Sequence, residues 1–192
     1  MSTTLRTFIA IDLPDALRSQ IARVQQDLNS SGADVRWVET QNLHLTLKFI
    51  GSIEEGAQER ISAALQQAVR PFSPFVFQLE GLGVFPRLAN PRVVWLGVSE
   101  GRGMLEQIAA AVEKACVEVG LPAQDHPFTP HLTIGRIRSN KRLEGLIHFL
   151  QRSPMRHPFL VQARRILFFK STLQAAGAVH TPLAELPLGA AR

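Results

Sequence analysis

A four-residue pattern occurs twice in this chain, and the spacing of its copies constrains the fold more than any other feature. The segment 44–47 reads His-Leu-Thr-Leu, and 131–134 reads His-Leu-Thr-Ile, an offset of 87 residues. The same offset places the apolar run 8–11 on 95–98, and the amphipathic segment 17–28 on 104–115. A strand, a helix and a His-x-Thr strand therefore recur in one order, which indicates an internal duplication of about residues 6–51 and 93–138.

Hydrophobic periodicity predicts strands and helices that alternate along the chain. We expect helices at 14–29, 54–69, 102–119 and 142–151, and strands at 6–12, 35–38, 43–50, 75–80, 92–98, 130–137, 159–172 and 178–186. A turn-rich stretch at 81–91 separates two of these strands. The pattern predicts a single α+β domain over residues 1–192, with two similar lobes around a pseudo-twofold cleft. Each lobe is an antiparallel or mixed sheet backed by helices.

Composition is that of a globular protein with a basic balance. Of the 192 residues, 45% are hydrophobic and 19% are charged, and the net charge is +5. Nine basic residues lie between Arg136 and Lys170, against one acidic residue, Glu144. Such a run is either a solvated face or a site for a polyanion, and composition alone leaves both open. No segment signals oligomerisation, so a monomer is the default expectation.

The chain shows no feature of an exported or membrane protein. Its single cysteine, Cys116, excludes an intramolecular disulfide and lies at an apolar position of a predicted helix. The apolar run at 8–11 is too short for a signal peptide. No segment approaches the ~20 apolar residues of a membrane span. The cytoplasm is the simplest compartment.

Side chains of a strand alternate between its two faces, so His44 and Thr46 share one face, and His131 and Thr133 share the equivalent face of the second copy. If the lobes face each other across the repeat axis, two imidazoles and two hydroxyls converge. A lone histidine on a strand is more often structural, but repetition within a repeated framework favours function. The remaining histidines lack this support and are expected at the surface or in packing: His126, His148, His157 and His180.

Two histidines and two threonines suit an in-line displacement at phosphorus. One neutral imidazole accepts a proton from the attacking water, and one protonated imidazole supplies a proton to the leaving oxygen. Histidine populates both forms near neutral pH, and each positioned acid or base contributes about 10²–10⁴ in rate. The hydroxyls donate hydrogen bonds to the non-bridging oxygens. A cyclic phosphate ties its leaving group within the substrate, so its opening requires no metal.

The chain resembles the RNA 2′,3′-cyclic phosphodiesterase branch of the 2H phosphoesterase superfamily, which is also called 2′-5′ RNA ligase-like. The resemblance covers almost the whole chain. It rests on both His-x-Thr motifs and on the stretches around them: FIAIDLP at 8–14, VRWV at 35–38, NLHLTLKFIG at 42–51, GLGVFP at 81–86, RVVWLG at 92–97, PFTPHLTIGR at 127–136 and TPL at 181–183.

The resemblance implies a bilobal fold without metal or cofactor, and hydrolysis of RNA 2′,3′-cyclic phosphate ends, such as those of tRNA fragments, to 2′-phosphomonoesters. It also implies weak reverse joining to a 5′-hydroxyl. Carried onto this chain, His44 is the proton donor and His131 the proton acceptor, although pseudo-symmetry leaves the reverse assignment open. Thr46 and Thr133 are the phosphate ligands.

Four further positions bear on substrate binding. Lys48 shares the predicted face of His44 and is expected to contact an RNA phosphate. Arg136 matches a basic residue of the family, but strict alternation turns it away from the site unless the strand bends near Gly135. Phe128 either stacks on a base or packs, and packing is favoured. Position 180, where family members often have tyrosine, is His180.

The sequence also bears on other enzyme classes and on a binding module without turnover. A metal-dependent phosphatase or nuclease is disfavoured because the sequence has no carboxylate beside either motif and no His-Glu-x-x-His or Cys/His cluster. A kinase or ATP-dependent ligase is disfavoured because there is no phosphate-binding Gly-x-x-x-x-Gly-Lys loop. A binding module without turnover stays open, as do 2′-5′-linked oligonucleotides or small cyclic nucleotides as substrates.

Overall fold

The computed structural model describes residues 4–152, 158–174 and 177–189. Helices and strands alternate in the first two thirds of the chain, and strands dominate the last third. In chain order the elements are β1 (Thr4–Asp12), α1 (Asp15–Asn29), β2 (Val35–Trp37), β3 (His44–Glu54), α2 (Gln58–Val69), β4 (Phe75–Phe85), β5 (Val93–Val98), α3 (Arg102–Glu118), β6 (His131–Ile137), α4 (Leu143–Arg152), β7 (Phe159–Ala163), β8 (Arg165–Gln174) and β9 (Gly177–Pro187).

The strands form two antiparallel sheets, which confirms the predicted two-lobed α+β architecture. One sheet has the order β3-β1-β8-β9, and the other has the order β2-β6-β5-β4-β7. Each sheet contains one His-x-Thr strand beside the strand that precedes it in the repeat, β3 beside β1 and β6 beside β5. Strands β3 and β6 approach each other although they belong to different sheets.

Helices α1, α2 and α3 each bury one apolar stripe in the core, and α4 buries Leu146. The buried positions of α1 include Leu17, Ile21 and Leu28, the spacing that predicts an amphipathic helix. One main core joins both sheets and the helices. Cys116 is buried in this core, as predicted, and burial raises the pKa of its thiol to about 11.

The two halves of the repeat differ by two residues in the connection between their paired strands. In the β1–β3 pair His44 lies opposite Asp12, and in the β5–β6 pair His131 lies opposite Gly97. The His-x-Thr strands are therefore 87 residues apart, but their partner strands are 85 apart. The connection between the paired strands is two residues longer in the second half. A shift of two keeps each side chain on the same face of a strand, which explains why the apolar patterns also match at 87.

Strand β4 continues further than predicted. The sequence pattern predicts an end at residue 80, before the turn-rich stretch 81–91, but the strand extends to Phe85. The β4–β5 register shifts between Leu79 and Leu82, where Gly81 has a φ of +78°. A glycine in this conformation accommodates an extra residue without ending the strand. Phe85 is thereby part of the sheet beside β5.

The two halves of the chain exchange strands. Strand β2 belongs to the first half in sequence, yet it pairs with β6 in the second sheet. Strands β8 and β9 follow the second half, yet β8 pairs with β1 in the first sheet. Within the residues that the structure describes, no helix is both long and apolar enough to cross a membrane.

Candidate active site

Both His-x-Thr strands line a cleft composed of two adjoining cavities. The first, of about 490 Å³, is lined by His44, Thr46 and Thr133. The second, of about 680 Å³, is lined by His131 and by the loop Pro122–Thr129. Thr46 and Phe49 line both cavities, so they mark the boundary between them. The structure therefore places both motifs on one continuous cleft.

The two imidazoles are held by matching hydrogen bonds. Nδ1 of His44 lies 2.7 Å from the carbonyl oxygen of Asn42, and Nδ1 of His131 lies 2.7 Å from the carbonyl oxygen of Thr129. A carbonyl only accepts, so each Nδ1 carries the hydrogen. In the neutral ring Nε2 then has a free lone pair, as a proton acceptor requires.

Each imidazole also rests on aromatic rings. Phe8 stacks on His44 with ring centroids 4.7 Å apart, and it belongs to a small buried cluster on the cleft face of the first sheet. Phe85 meets His131 edge to face at 4.9 Å, with Trp95 at 6.5 Å from the same imidazole. These contacts restrict ring rotation, and hydrogen bonding at Nδ1 sets the tautomer.

The surroundings keep both histidines neutral in the free protein. Burial lowers the pKa of His44 to about 4, with further lowering by His180, Arg18 and Arg136. Burial also lowers the pKa of His131, and Arg136 contributes. In both cases the hydrogen bond to a backbone carbonyl opposes the effect of burial. A bound anion would stabilise the protonated form that an acid catalyst needs.

Comparison with known proteins gives a consistent family. The family described as LigT like Phosphoesterase matches this chain twice, at residues 11–95 and 96–180. The chain belongs to this family. An RNA 2′,3′-cyclic phosphodiesterase of Methanothermobacter thermautotrophicus is 33% identical over 180 residues, which span 93% of this chain and 96% of the relative. One from Aquifex aeolicus is also 33% identical, over 96% of this chain and 98% of the relative.

Solved structures of the LigT-like phosphoesterases share the fold. The crystal structure of E. coli LigT complexed with 3′-AMP superimposes with a TM-score of 0.79 at 26% identity, over 97% of this chain and 99% of that one. The double match of the family agrees with the two sheets, each of which carries one His-x-Thr strand.

Arg136 faces the cleft in this LigT-like phosphoesterase because β6 contains a bulge. The β5–β6 register shifts so that Trp95 pairs with Thr133 and Val94 with Gly135, which leaves Ile134 as the extra residue. Beyond a bulge the alternation of faces is inverted. Arg136 therefore lines the first cavity together with Thr133. The bend near Gly135, on which its role depends, is present.

The predicted orientation of Lys48 is wrong, for the same reason. Strand β3 has a bulge at the equivalent place, where Ala10 pairs with Thr46 and Ile9 with Lys48. The bulge turns Lys48 away from the cleft, where its side chain is 1% exposed. Its ammonium group bonds Glu113 instead of facing a phosphate. Phe49 takes the position at the cleft and is 60% exposed.

Phe128 and His180 both line the cleft. Phe128 is half-buried, packs against the main core and also lines the second cavity. His180, expected at the surface or in packing, lies in the first cavity with its ring 5.4 Å from that of His44. It belongs to β9, far from either motif in sequence, so only the tyrosine usual at this position in the family offered a signal. His157 lies outside the described residues.

The first cavity is cationic. Three arginines line it, against one carboxylate from Glu39: Arg6, Arg36 and Arg136. Trp37 and Phe8 provide aromatic surface in the same cavity. Cations combined with aromatic rings suit a nucleotide, which offers phosphates and a flat base. Among the described residues no group of three or more His, Cys, Asp or Glu side chains is close enough to hold a metal ion.

Proposed function

We propose that this protein hydrolyses the 2′,3′-cyclic phosphate ends of RNA to 2′-phosphomonoesters by general acid–base catalysis between His44 and His131. The observation that carries the proposal is the pair of matched imidazoles, each bonded through Nδ1 to a backbone carbonyl, on adjoining cavities of which the first is lined by three arginines. The names of the relatives, RNA 2′,3′-cyclic phosphodiesterases, support the substrate.

In the proposed reaction a water molecule attacks phosphorus opposite O3′. Nε2 of His131 takes the proton of the water as the new P–O bond forms. The P–O3′ bond breaks, and His44 gives its proton to O3′. Thr46 and Thr133 donate hydrogen bonds to the non-bridging oxygens, and Arg136 neutralises their charge. Atoms and charge balance without an added cofactor. When a 5′-hydroxyl replaces water as the nucleophile, the same displacement forms a 2′-5′ phosphodiester and releases O3′.

The donor role of His44 requires help from the substrate. Burial lowers the pKa of His44 to about 4, so the free protein holds it neutral. The anionic phosphate provides the opposite charge that raises a neighbouring pKa. Because His131 is also neutral in the free protein, it is already in the form that accepts a proton.

The first test is hydrolysis of a short RNA with a 2′,3′-cyclic phosphate in excess EDTA, with the product assigned by phosphorus NMR. We expect a 2′-phosphate, and a loss of at least about 10²-fold in kcat for His44→Ala and for His131→Ala. His148→Ala, at an exposed position of α4 and outside both cavities, is the matched control and should retain activity. No turnover by the folded parent would refute the proposal and favour a binding module or a 2′-5′-linked substrate.

A second experiment separates the acid from the base. A cyclic substrate with sulfur in place of O3′ has a leaving group that needs little protonation. It should restore turnover in His44→Ala and leave His131→Ala inactive. The opposite pattern would exchange the two roles.

The setting of the reaction completes the proposal. We infer that the protein acts as a monomer on RNA ends in the cytoplasm, and tRNA fragments are the first substrates to try. A complete pair of His-x-Thr strands within one chain supports a monomer. Sedimentation equilibrium of the protein with and without RNA tests it, and a dimer would contradict it.

A further inference from the structure

Lys48 and Glu113 form a buried ion pair that the reaction does not use directly. Nζ of Lys48 lies 2.5 Å from Oε2 of Glu113, and it also donates to the carbonyl of Pro122 at 3.0 Å. The Lys48 side chain is 1% exposed and that of Glu113 is 29% exposed. Burying an ammonium group costs free energy unless it is paired. A buried pair that takes no part in the reaction therefore suggests a structural role.

The pair fastens the loop that precedes the second His-x-Thr strand. Glu113 accepts a hydrogen bond at 2.8 Å from the backbone N–H of Gln124 through its second oxygen, Oε1. One carboxylate thus connects Lys48 in β3 to the loop, and Lys48 itself bonds the loop at Pro122. Strand β3 carries the first motif, so a residue of the first motif strand holds the approach to the second.

Few other polar contacts hold this loop. Among the described residues, 122–130 take part in no backbone–backbone hydrogen bond outside regular structure. The other polar contact of the loop among the described residues is the carbonyl of Thr129, which accepts from Nδ1 of His131, and Phe128 packs against the main core. The same loop lines the second cavity from Pro122 to Thr129. Its position therefore affects both the wall of the cavity and the orientation of the imidazole.

In the first half of the chain, a different cation holds the loop that precedes the His-x-Thr strand. The loop before His44 is held by Arg18, whose guanidinium donates to the carbonyls of Thr40, Gln41 and Leu43 at 2.9 Å each. Arg18 extends from α1 of its own half. In the second half, the cation comes from the opposite half, across the boundary between the lobes.

We propose that Lys48 is a positioning residue: with Glu113 it holds the loop Pro122–Thr129 in place, and so shapes the second cavity and aligns His131. The kinetic part of this inference rests on the proposed cyclic phosphodiesterase activity. The structural part, an ordered loop, is measurable without it. Lys48 acts through the loop and does not contact the substrate.

The test uses Lys48→Met, which keeps the buried aliphatic volume and removes the ammonium, and Glu113→Gln, which removes the charge. The matched controls are Lys114→Met and Glu106→Gln. They break exposed ion pairs on α3, the helix that carries Glu113. We expect kcat/KM on the cyclic-phosphate RNA to fall on the order of 10- to 100-fold in Lys48→Met, as in displacement of a catalytic group by about 1 Å. KM should rise because the cavity wall moves, and kcat should fall because His131 loses alignment.

Hydrogen–deuterium exchange provides a readout that does not depend on activity. The backbone amide of Gln124, which donates to Glu113, should exchange faster in Lys48→Met, in Glu113→Gln and in the double variant, and remain at the parent rate in both controls. The Tm of Lys48→Met should fall, because removing one partner of a buried pair leaves the other charge uncompensated, whereas the double variant removes both charges and should stay closer to the parent Tm. Unchanged exchange at Gln124 in all three variants, or faster exchange spread over the whole chain in the double variant, would overturn the proposal.

Discussion

The two imidazoles of the cleft share a hydrogen-bonding pattern but not an environment. His44 sits on Phe8, beside a third imidazole from His180, whereas His131 is bordered by Phe85 and Trp95. The pKa of His44 falls to about 4, mainly because of burial. The two histidines therefore have different neighbours within one cleft.

The lowered pKa of His44 predicts a pH dependence of stability. The unfolded chain protonates this histidine near its ordinary pKa of 6.5, and the folded protein does so near 4. Between these values the unfolded state binds more protons, so the free energy of unfolding should fall as pH falls from about 6.5 to 4. The contribution is on the order of 3 kcal/mol at most. Urea titrations of the parent and of His44→Gln measure it.

In that experiment the slope between pH 6.5 and 4 should be shallower in His44→Gln than in the parent. His126→Gln, at an exposed position, serves as the control and should keep the parent slope. Equal slopes in all three proteins would show that His44 is not buried in the free protein.

His180 supplies a second prediction at this scale. Its ring lies edge to face on that of His44, and in its protonated form it lowers the pKa of His44. His180→Phe keeps a ring in the cavity and removes that charge. We expect the pKa of His44 to rise, as followed by imidazole NMR shifts during titration. A pKa that stays at the parent value, with the cavity intact, would remove His180 from this role.

The sequence predicts some of these residues and not others, for physical reasons. His44, His131, Thr46 and Thr133 are visible because a repeat marks them. His180 is not, because it arrives from a late strand and its nearness to His44 is a product of sheet pairing between β1, β8 and β9.

Equivalent bulges in β3 and β6 decide what faces the cleft beyond each motif. In β6 the bulge is held by the carbonyl of Ile134, which accepts from the N–H of Val38 at 3.0 Å and from the amide of Gln25 at 2.8 Å. The next residue, Gly135, is closely covered by β2. A Cβ atom there would lie 2.8 Å from Cγ1 of Val35 and 2.9 Å from Cε3 of Trp37.

Gly135→Ala should therefore destabilise the protein, because β2 must shift to admit the methyl group. We expect a loss of about 1–3 kcal/mol in the free energy of unfolding, with reduced activity as Arg136 moves. The control is Gly103→Ala in the first turn of α3, where the added Cβ has nothing within 4 Å. It should raise stability by roughly 0.5–1 kcal/mol. Urea denaturation compares them, and equal stabilities would contradict the crowding at Gly135.

At the scale of elements, periodicity predicts the helices well and the strands less completely. The apolar stripe of α1 is a property of adjacent turns, which the sequence displays directly. A bulge depends on a partner strand, so alternation misplaced Lys48 and left Arg136 conditional on a bend. The extension of β4 past Gly81 has the same origin, a shift of register against β5.

Part of the excess positive charge of the molecule lies in the first cavity of the cleft. The net charge is +5, and Arg6, Arg36 and Arg136 line the first cavity. Of the basic run from Arg136 to Lys170, Arg136 reaches that cavity, and Arg156 lies outside the described residues. The cleft, rather than the run as a whole, is where we expect a polyanion to bind.

Binding of a single-stranded RNA with a 2′-phosphate end should weaken as salt rises. Each neutralised phosphate contributes about 0.7 to the slope of log K against log salt. Arg36→Gln should reduce the slope by roughly that amount, whereas Arg70→Gln, exposed and outside both cavities, should leave it unchanged. Fluorescence anisotropy at several salt concentrations measures both. Identical slopes for the parent and Arg36→Gln would exclude a phosphate contact there.

The overall architecture is predictable from the repeat, but the exchange of strands is not. Two copies of a strand, a helix and a motif strand indicate two lobes. That β2 pairs with β6, and β8 with β1, depends on contacts between residues about a hundred or more positions apart, and local patterns carry no trace of such partners.

The presence of both His-x-Thr strands in one chain has a consequence for how the site assembles. A single half holds one His-x-Thr strand and one imidazole, so a chain with one copy has a complete site only as a pair of identical subunits. Joining two copies in one gene replaces an encounter that depends on concentration by one that is always satisfied. It also allows the two copies to differ. Phe49 and Arg136 occupy the same place beyond their bulges, and they give the cleft one aromatic and one cationic wall.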